Sequence, residues 1–129
     1  MISGAYAVSM IFTSDVRLGI VPIVPPRGSG DIKFERVVVS FATDLLSPLD
    51  DPRSSGGFDF IAARMRIWTN QGTLRYDTGR DFYSLIRIDR GRTAVFELEP
   101  GDVAVSVSLP WVSDSDIFPV TALVEYETL

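Results

Sequence analysis

The sequence contains no histidine and no cysteine, and Lys33 is its only lysine among 129 residues. Without cysteine there is no disulfide framework, no thiolate nucleophile and no thiolate metal site. Without histidine, nucleophilic catalysis through a Ser/His or Cys/His pair is excluded as well. We therefore expect no metal, no cofactor and no enzymatic activity, with carboxylate chemistry as the remaining route to an enzyme.

Positive charge is also scarce relative to negative charge. The net charge is −5 and the isoelectric point is near 4.6, which argues against binding to a phosphate backbone. The apolar amino-terminal stretch has no positively charged region before it, and Asp15 and Arg17 interrupt it well before a membrane-spanning length. We expect no nucleic-acid partner and no membrane partner.

The sequence has no convincing helical periodicity, and apolar residues instead alternate with other residues in short segments separated by turn signals. Within the third segment the alternation changes phase, which predicts a β-bulge near Glu35–Arg36 because one extra residue inverts the facing. The predicted strands run over Ala5–Thr13, Val16–Val24, Asp31–Thr43, Phe58–Thr69, Thr73–Tyr76, Phe82–Ile88, Arg92–Glu99, Val103–Leu109 and Phe118–Leu129.

Eight to nine short strands at close spacing predict an all-β fold. The expected architecture is a single domain over residues 1–129, an antiparallel β-sandwich or small β-barrel of the jelly-roll or immunoglobulin-like kind. Because a sheet buries one parity of each strand, the sequence also predicts core positions. They are Ile61, Met65, Ile67, Phe96, Leu98, Val103, Val105 and Val107.

Carboxylates provide two candidate chemistries. Glu97 with Glu99, or Glu125 with Glu127, could flank a glycosidic bond, but an exposed strand face produces the same spacing. Aspartates in loops could bind calcium, although neither loop is complete and turn aspartates ordinarily accept backbone hydrogen bonds. The loop aspartates are Asp50, Asp51, Asp114 and Asp116.

Aromatic residues suggest a carbohydrate-stacking platform on a sandwich. The alternative is that they pack against neighbouring side chains, which is the more frequent role of aromatics in sheets. The candidates are Trp68, Tyr76, Tyr83 and Trp111.

Arginine is the most unusual signal, since it supplies all twelve basic residues except Lys33. Arginine is enriched at protein interfaces and lysine is depleted there. Codon bias explains part of that ratio, and cross-strand pairing with Glu97, Glu99, Glu125 or Glu127 is a local alternative. The arginines within strands or at their ends are Arg64, Arg66, Arg75, Arg87 and Arg92.

The leading hypothesis is a non-enzymatic structural protein that docks to copies of itself or to a larger particle, such as a virus or phage capsid, where it would be a decoration component of the virion. A mean hydropathy of +0.19 fits either a rich core or strand surface buried against another chain. Carbohydrate binding is the first alternative, and a protein inhibitor or immunity factor is the second. The expected interface residues are Arg64, Arg66, Trp68, Arg87, Trp111 and, from the Leu45–Gly57 loop, Leu45, Leu46 and Leu49.

Overall fold

The structure is a computed structural model that describes residues 2–41, 60–78, 86–89, 93–109 and 117–129, with side chains for all of these except residues 41, 60–62 and 86–89. These residues contain nine β-strands and no helix, so the all-β prediction is confirmed. In the described part of the chain, therefore, no helix has the length and apolarity of a membrane span. The strands are β1 Gly4–Phe12, β2 Leu18–Pro22, β3 Ile32–Phe41, β4 Phe60–Thr69, β5 Leu74–Asp77, β6 Ile86–Asp89, β7 Thr93–Glu97, β8 Asp102–Ser108 and β9 Phe118–Thr128.

The strands form two antiparallel sheets. The first sheet has the order β1-β9-β3-β7, and the second has the order β2-β8-β4, with β5 and β6 both paired to β4. The pairs are nested, since β1 joins β9, β2 joins β8, β3 joins β7, and β4 joins its two short partners. Successive pairs alternate between the two sheets, which is the jelly-roll arrangement of a sandwich and differs from the immunoglobulin order.

The core lies between the two sheets and is formed by the inward-facing parity of each strand. Six predicted core residues are buried, so the parity rule holds along most of β4, β7 and β8; they are Met65, Ile67, Phe96, Leu98, Val105 and Val107. Val103 was predicted to be core and is not, since it is 39% exposed. The register between β4 and β8 shifts at this point, from Trp68 opposite Ala104 to Thr69 opposite Asp102, so Val103 is the extra residue of a bulge. The bulge inverts the facing and buries Asp102 in its place. The Ile61 side chain lies outside the described residues.

Two local backbone features, a β-bulge and a tight turn, follow directly from the residues that form them. The register between β3 and β9 shifts between Phe34 and Arg36, which confirms the predicted bulge. The turn before β8 has Pro100 and Gly101 at its centre, a hydrogen bond from the Asp102 N–H to the Glu99 carbonyl, and a Gly101 φ of 95°. Proline followed by a glycine with positive φ defines a type II turn.

Candidate protein interface

Three predicted interface residues lie together on the outer face of the second sheet. Because Met65 and Ile67 point into the core, strand alternation places Arg64, Arg66 and Trp68 on the opposite side of β4. All three are half-buried.

Asp77, the last residue of β5, holds the two arginines. Its carboxylate accepts hydrogen bonds from Arg64 Nε at 3.0 Å and Arg64 Nη2 at 2.7 Å, a bidentate arrangement that fixes the guanidinium. Arg66 Nε lies 3.4 Å from the same carboxylate but is buried without a hydrogen-bond partner. Two cations thus share one carboxylate, whose side chain is only 5% exposed.

The expected glutamate partners were therefore wrong for Arg64 and Arg66. The sequence pattern placed Asp77 in a turn, whereas it belongs to β5 and is paired in register with Arg66. Arg75 does contact one predicted partner, since Arg75 Nη1 lies 3.5 Å from Glu99 Oε1.

Trp68 continues the same face toward the end of β4. Its Nε1 donates a hydrogen bond to Ser106 Oγ at 3.1 Å, which fixes the indole across the neighbouring strand β8. The aromatic ring is thus held by its polar end on an otherwise accessible sheet face.

Exposed aliphatic side chains complete this face on β2. Leu18 and Ile20 are 59% and 51% exposed. The serines of β8 separate them from the arginines: Leu18 and Arg64 both pair with Ser108, and Ile20 and Arg66 both pair with Ser106. We call this surface the arginine face; it consists of Leu18, Ile20, Pro22, Arg64, Arg66, Trp68, Asp77, Ala104, Ser106 and Ser108.

Arg75 lies away from the arginine face and closes one edge of the sandwich. Its Nε and Nη2 donate to the carboxylate of Asp102 at 2.8 and 2.7 Å, and Nη2 also donates to the Glu97 carbonyl at 3.0 Å. The hydrogen bond with Asp102 is the main cause that raises the pKa of Arg75 above its ordinary value. The pair with the buried Asp102 joins β5 to the start of β8 within the second sheet, and the bond to the Glu97 carbonyl links β5 to the end of β7 in the first sheet.

A shallow groove of about 230 Å³ opens beside this pair. Tyr76, which is 43% exposed, packs its ring against Phe96 with the centroids 5.8 Å apart and the planes tilted by 54°. Tyr76 belongs to the aromatic set expected for carbohydrate, whereas Trp68 does not line the groove. The lining residues are Ile67, Arg75, Tyr76, Val95, Phe96 and Glu97.

The remaining predicted site residues cannot be placed in the same detail. Arg87 pairs with Ala62 through its backbone in β6, and its side chain lies outside the described residues. Among those that are described, no group of three or more metal-ligating side chains occurs. The following also lie outside the described residues: Leu45, Leu46, Leu49, Asp50, Asp51, Tyr83, Trp111, Asp114 and Asp116.

The outer face of the first sheet was not identified from the sequence. One row of this face is charged, with Arg36 paired in register to Glu125 on β9 and to Glu97 on β7. Arg36 Nη2 donates to Glu125 Oε2 at 3.3 Å, and the row carries a net charge of −1. The next two rows, each with one residue from each of the four strands, are uncharged. The first consists of Ala7, Leu123, Val38 and Val95, and the second of Ser9, Thr121, Ser40 and Thr93.

We call this second surface the glutamate face; it consists of the three rows above. The sequence did carry a signal for it, since β1 and β9 alternate core residues with small or uncharged ones such as Ala7 and Thr121. That alternation does not reveal which rows stand side by side, because the strands are far apart in the chain.

No protein-family model matches the chain, and neither a curated protein nor a solved structure shows significant similarity to it.

Proposed function

We propose that this protein is a non-enzymatic structural subunit that docks through its arginine face onto copies of itself or onto a larger particle. The observation that carries the proposal is the continuity of that face. Exposed Leu18 and Ile20 adjoin Arg64, Arg66 and Trp68, with small serines between them. Arginine and tryptophan are residue types that dominate interface energetics, and the exposed aliphatic side chains add apolar area beside them.

The hydrogen bonds of the face favour association further. Asp77 and Ser106 already fix the orientations of Arg64 and Trp68. These two side chains therefore lose less conformational entropy when a partner binds. Arg66 is held less firmly, and its buried Nε lacks a hydrogen-bond partner. Because the Arg66 side chain is 34% exposed, a carboxylate from a docked protein would add a second counter-charge at the centre of the face.

The jelly-roll fold supports the proposal only by analogy. Jelly rolls occur in viral capsid domains and in lectins, and a fold hosts many functions. The virus or phage particle as the site of assembly rests on this analogy, whereas the docking surface rests on the residues of the face.

The docking surface is tested with two double variants in size-exclusion chromatography with light scattering, over a wide concentration range. Leu18→Ser with Ile20→Ser removes the exposed aliphatic side chains of the face. Ile117→Ser with Leu129→Ser removes two side chains that are also more than half exposed but flank β9 in the other sheet. We expect the first pair to abolish association and the second to leave it unchanged.

If the wild-type chain is monomeric at every concentration, the same variants are compared as bait for protein partners. Loss of a partner with the first pair alone supports docking. Equal behaviour of the two double variants, or a chain that neither associates nor retains a protein, overturns the proposal.

Carbohydrate binding is a second candidate, favoured by the groove at the edge of the sandwich. Tyr76 offers an exposed ring there, and the Arg75 guanidinium and Glu97 carboxylate are the polar groups beside it. Apolar walls with a few polar groups are typical of small-ligand sites.

Calorimetric titration with oligosaccharides tests the groove. It should show binding that Tyr76→Ala abolishes and Tyr76→Phe retains, because stacking requires only the ring. Heat changes that are the same for the wild type and both variants would exclude this site.

A further inference from the structure

We propose that the partner of the arginine face is the glutamate face of a second copy of this chain. This inference rests on the docking function proposed above and assigns both sides of the contact. The two surfaces are the outer faces of the two sheets and lie on opposite sides of one sandwich.

Charge complementarity carries the assignment. On the arginine face two arginines share one carboxylate, Asp77, whereas on the glutamate face two glutamates share one arginine, Arg36. Each face therefore holds one charged residue, Arg66 or Glu97, whose counter-ion is already hydrogen-bonded to another residue. Each cluster leaves one residue less firmly bound: Arg66 lacks a hydrogen bond at Nε, and Glu97 is exposed. Opposite potentials across an interface favour association and determine the register.

Uncharged surface adjoins the charged cluster on both faces. On the arginine face it is the aliphatic pair Leu18 and Ile20, and on the glutamate face it includes Leu123 and the 52%-exposed Val95. Contact between the two faces would therefore remove aliphatic surface from water while the charged clusters meet.

The available area fits a weak but specific contact. Four strands about 4.8 Å apart and about seven residues long, at about 3.3 Å per residue, cover roughly 400 to 500 Å². Specific interfaces bury about 800 Å² per partner, and transient ones bury less than about 600 Å². The contact should therefore form at high protein concentration or where several contacts act together.

The same geometry predicts how the assembly grows. A contact between two different faces is heterologous, so each bound copy still offers one free face of each kind. Repetition then closes into a ring or continues as a filament. A face that paired with its own kind would stop at a dimer.

The experiment exchanges the two charges. Arg66→Glu makes the arginine face resemble the glutamate face, Glu97→Arg does the reverse, and the double variant carries both changes. Arg27→Glu, in the exposed loop between β2 and β3, is the matched control. Sedimentation velocity over a concentration series measures the association constant, and circular dichroism with thermal unfolding shows that each variant is folded.

We expect each single variant to associate at least about tenfold more weakly, since like charges then meet across the contact. The double variant should recover to within about threefold of the wild type, because the charges are opposite again, and the control should be unchanged. Recovery in the double variant is a result that loss of folding cannot produce.

Two results overturn the assignment without deciding the docking proposal. If the wild type associates but Arg66→Glu has no effect, or the double variant is as weak as the single variants, the glutamate face is not the partner. If the wild type never associates, the partner is not a second copy. In both cases the Leu18 and Ile20 variants still decide separately whether the arginine face docks.

Discussion

Asp102 is buried at the beginning of β8, where its carboxylate accepts hydrogen bonds from the Arg75 guanidinium and from the Glu99 N–H at 2.8 Å. Asp102→Ala would leave the partly buried Arg75 without its counter-charge, so we predict a loss of about 2–4 kcal/mol in the free energy of unfolding. Urea denaturation measures this loss. Glu99→Ala is the matched control, because the Glu99 side chain is 62% exposed and should contribute less than about 1 kcal/mol; equal effects of the two changes would contradict the account.

Tyr6 predicts a dependence of stability on pH. Its hydroxyl donates to the Pro22 carbonyl at 2.6 Å and accepts from the Val24 N–H at 3.1 Å. Burial is the main cause that raises the pKa of Tyr6 above its ordinary value of 10.0, and the hydrogen bond from Val24 opposes it. The folded state therefore holds the phenolic proton more tightly than the unfolded chain. This contribution to stability is complete below about pH 10 and is lost as the pH rises from about 10 through the higher folded-state pKa.

Tyr6→Phe should accordingly be less stable than the wild type near pH 8, by about 0.5–1.5 kcal/mol for the lost hydrogen bonds. The difference should shrink as the pH rises above about 10. Parallel stability profiles for the two proteins over that range would show that Tyr6 does not titrate differently on folding.

At this scale the sequence predicted which way side chains face but not what they contact. Alternation along β4 was enough to place Arg64 with Arg66, since it needs only neighbouring residues. Asp77 was missed because one position decides whether an aspartate caps a turn or ends a strand. Val103 was assigned to the core because alternation within one strand does not reveal a bulge in its pairing with the next strand.

The β7–β8 turn shows how strongly local chemistry determines an element. Gly101 has a φ of 95°, and a Cβ there would meet only Asn70 Oδ1 at 3.7 Å, so the cost of a side chain is backbone strain and not a clash. We predict that Gly101→Ala lowers the free energy of unfolding by about 1–2 kcal/mol. Gly101→Asn should cost less, because asparagine tolerates positive φ better. Thermal unfolding that ranks alanine above asparagine would argue against the strain explanation.

The elements themselves were largely predictable, and their pairing was not. Turn residues and alternation gave nine strands and the bulge at Glu35–Arg36, because each depends on a few adjacent residues. The sheet order depends on contacts such as Gly4 with Tyr126, at opposite ends of the chain. Alternation says which face of a strand is buried but not which strand lies beside it. The glutamate face could therefore not be predicted from the sequence, because it depends on β9 lying between β1 and β3.

Two features of the whole molecule contribute to the mean hydropathy of +0.19. The two sheets enclose an apolar core, and aliphatic side chains also remain exposed on the outer face of each sheet. Such surface is costly to leave in water when it is contiguous, and the jelly roll presents it on two opposite sides. A structural subunit with a face toward each neighbour is the function that this distribution favours.

The central claim, that the arginine face is covered by another protein, is tested most directly by hydroxyl-radical footprinting with mass spectrometry. The side-chain reactivity of the assembled fraction is compared with that of the dilute chain. The account predicts that Leu18 and Ile20 become protected in the assembled fraction, while Ile117 and Leu129, which are exposed but flank β9 in the other sheet, keep their reactivity. Unchanged reactivity of Leu18 and Ile20 between the two states would contradict it.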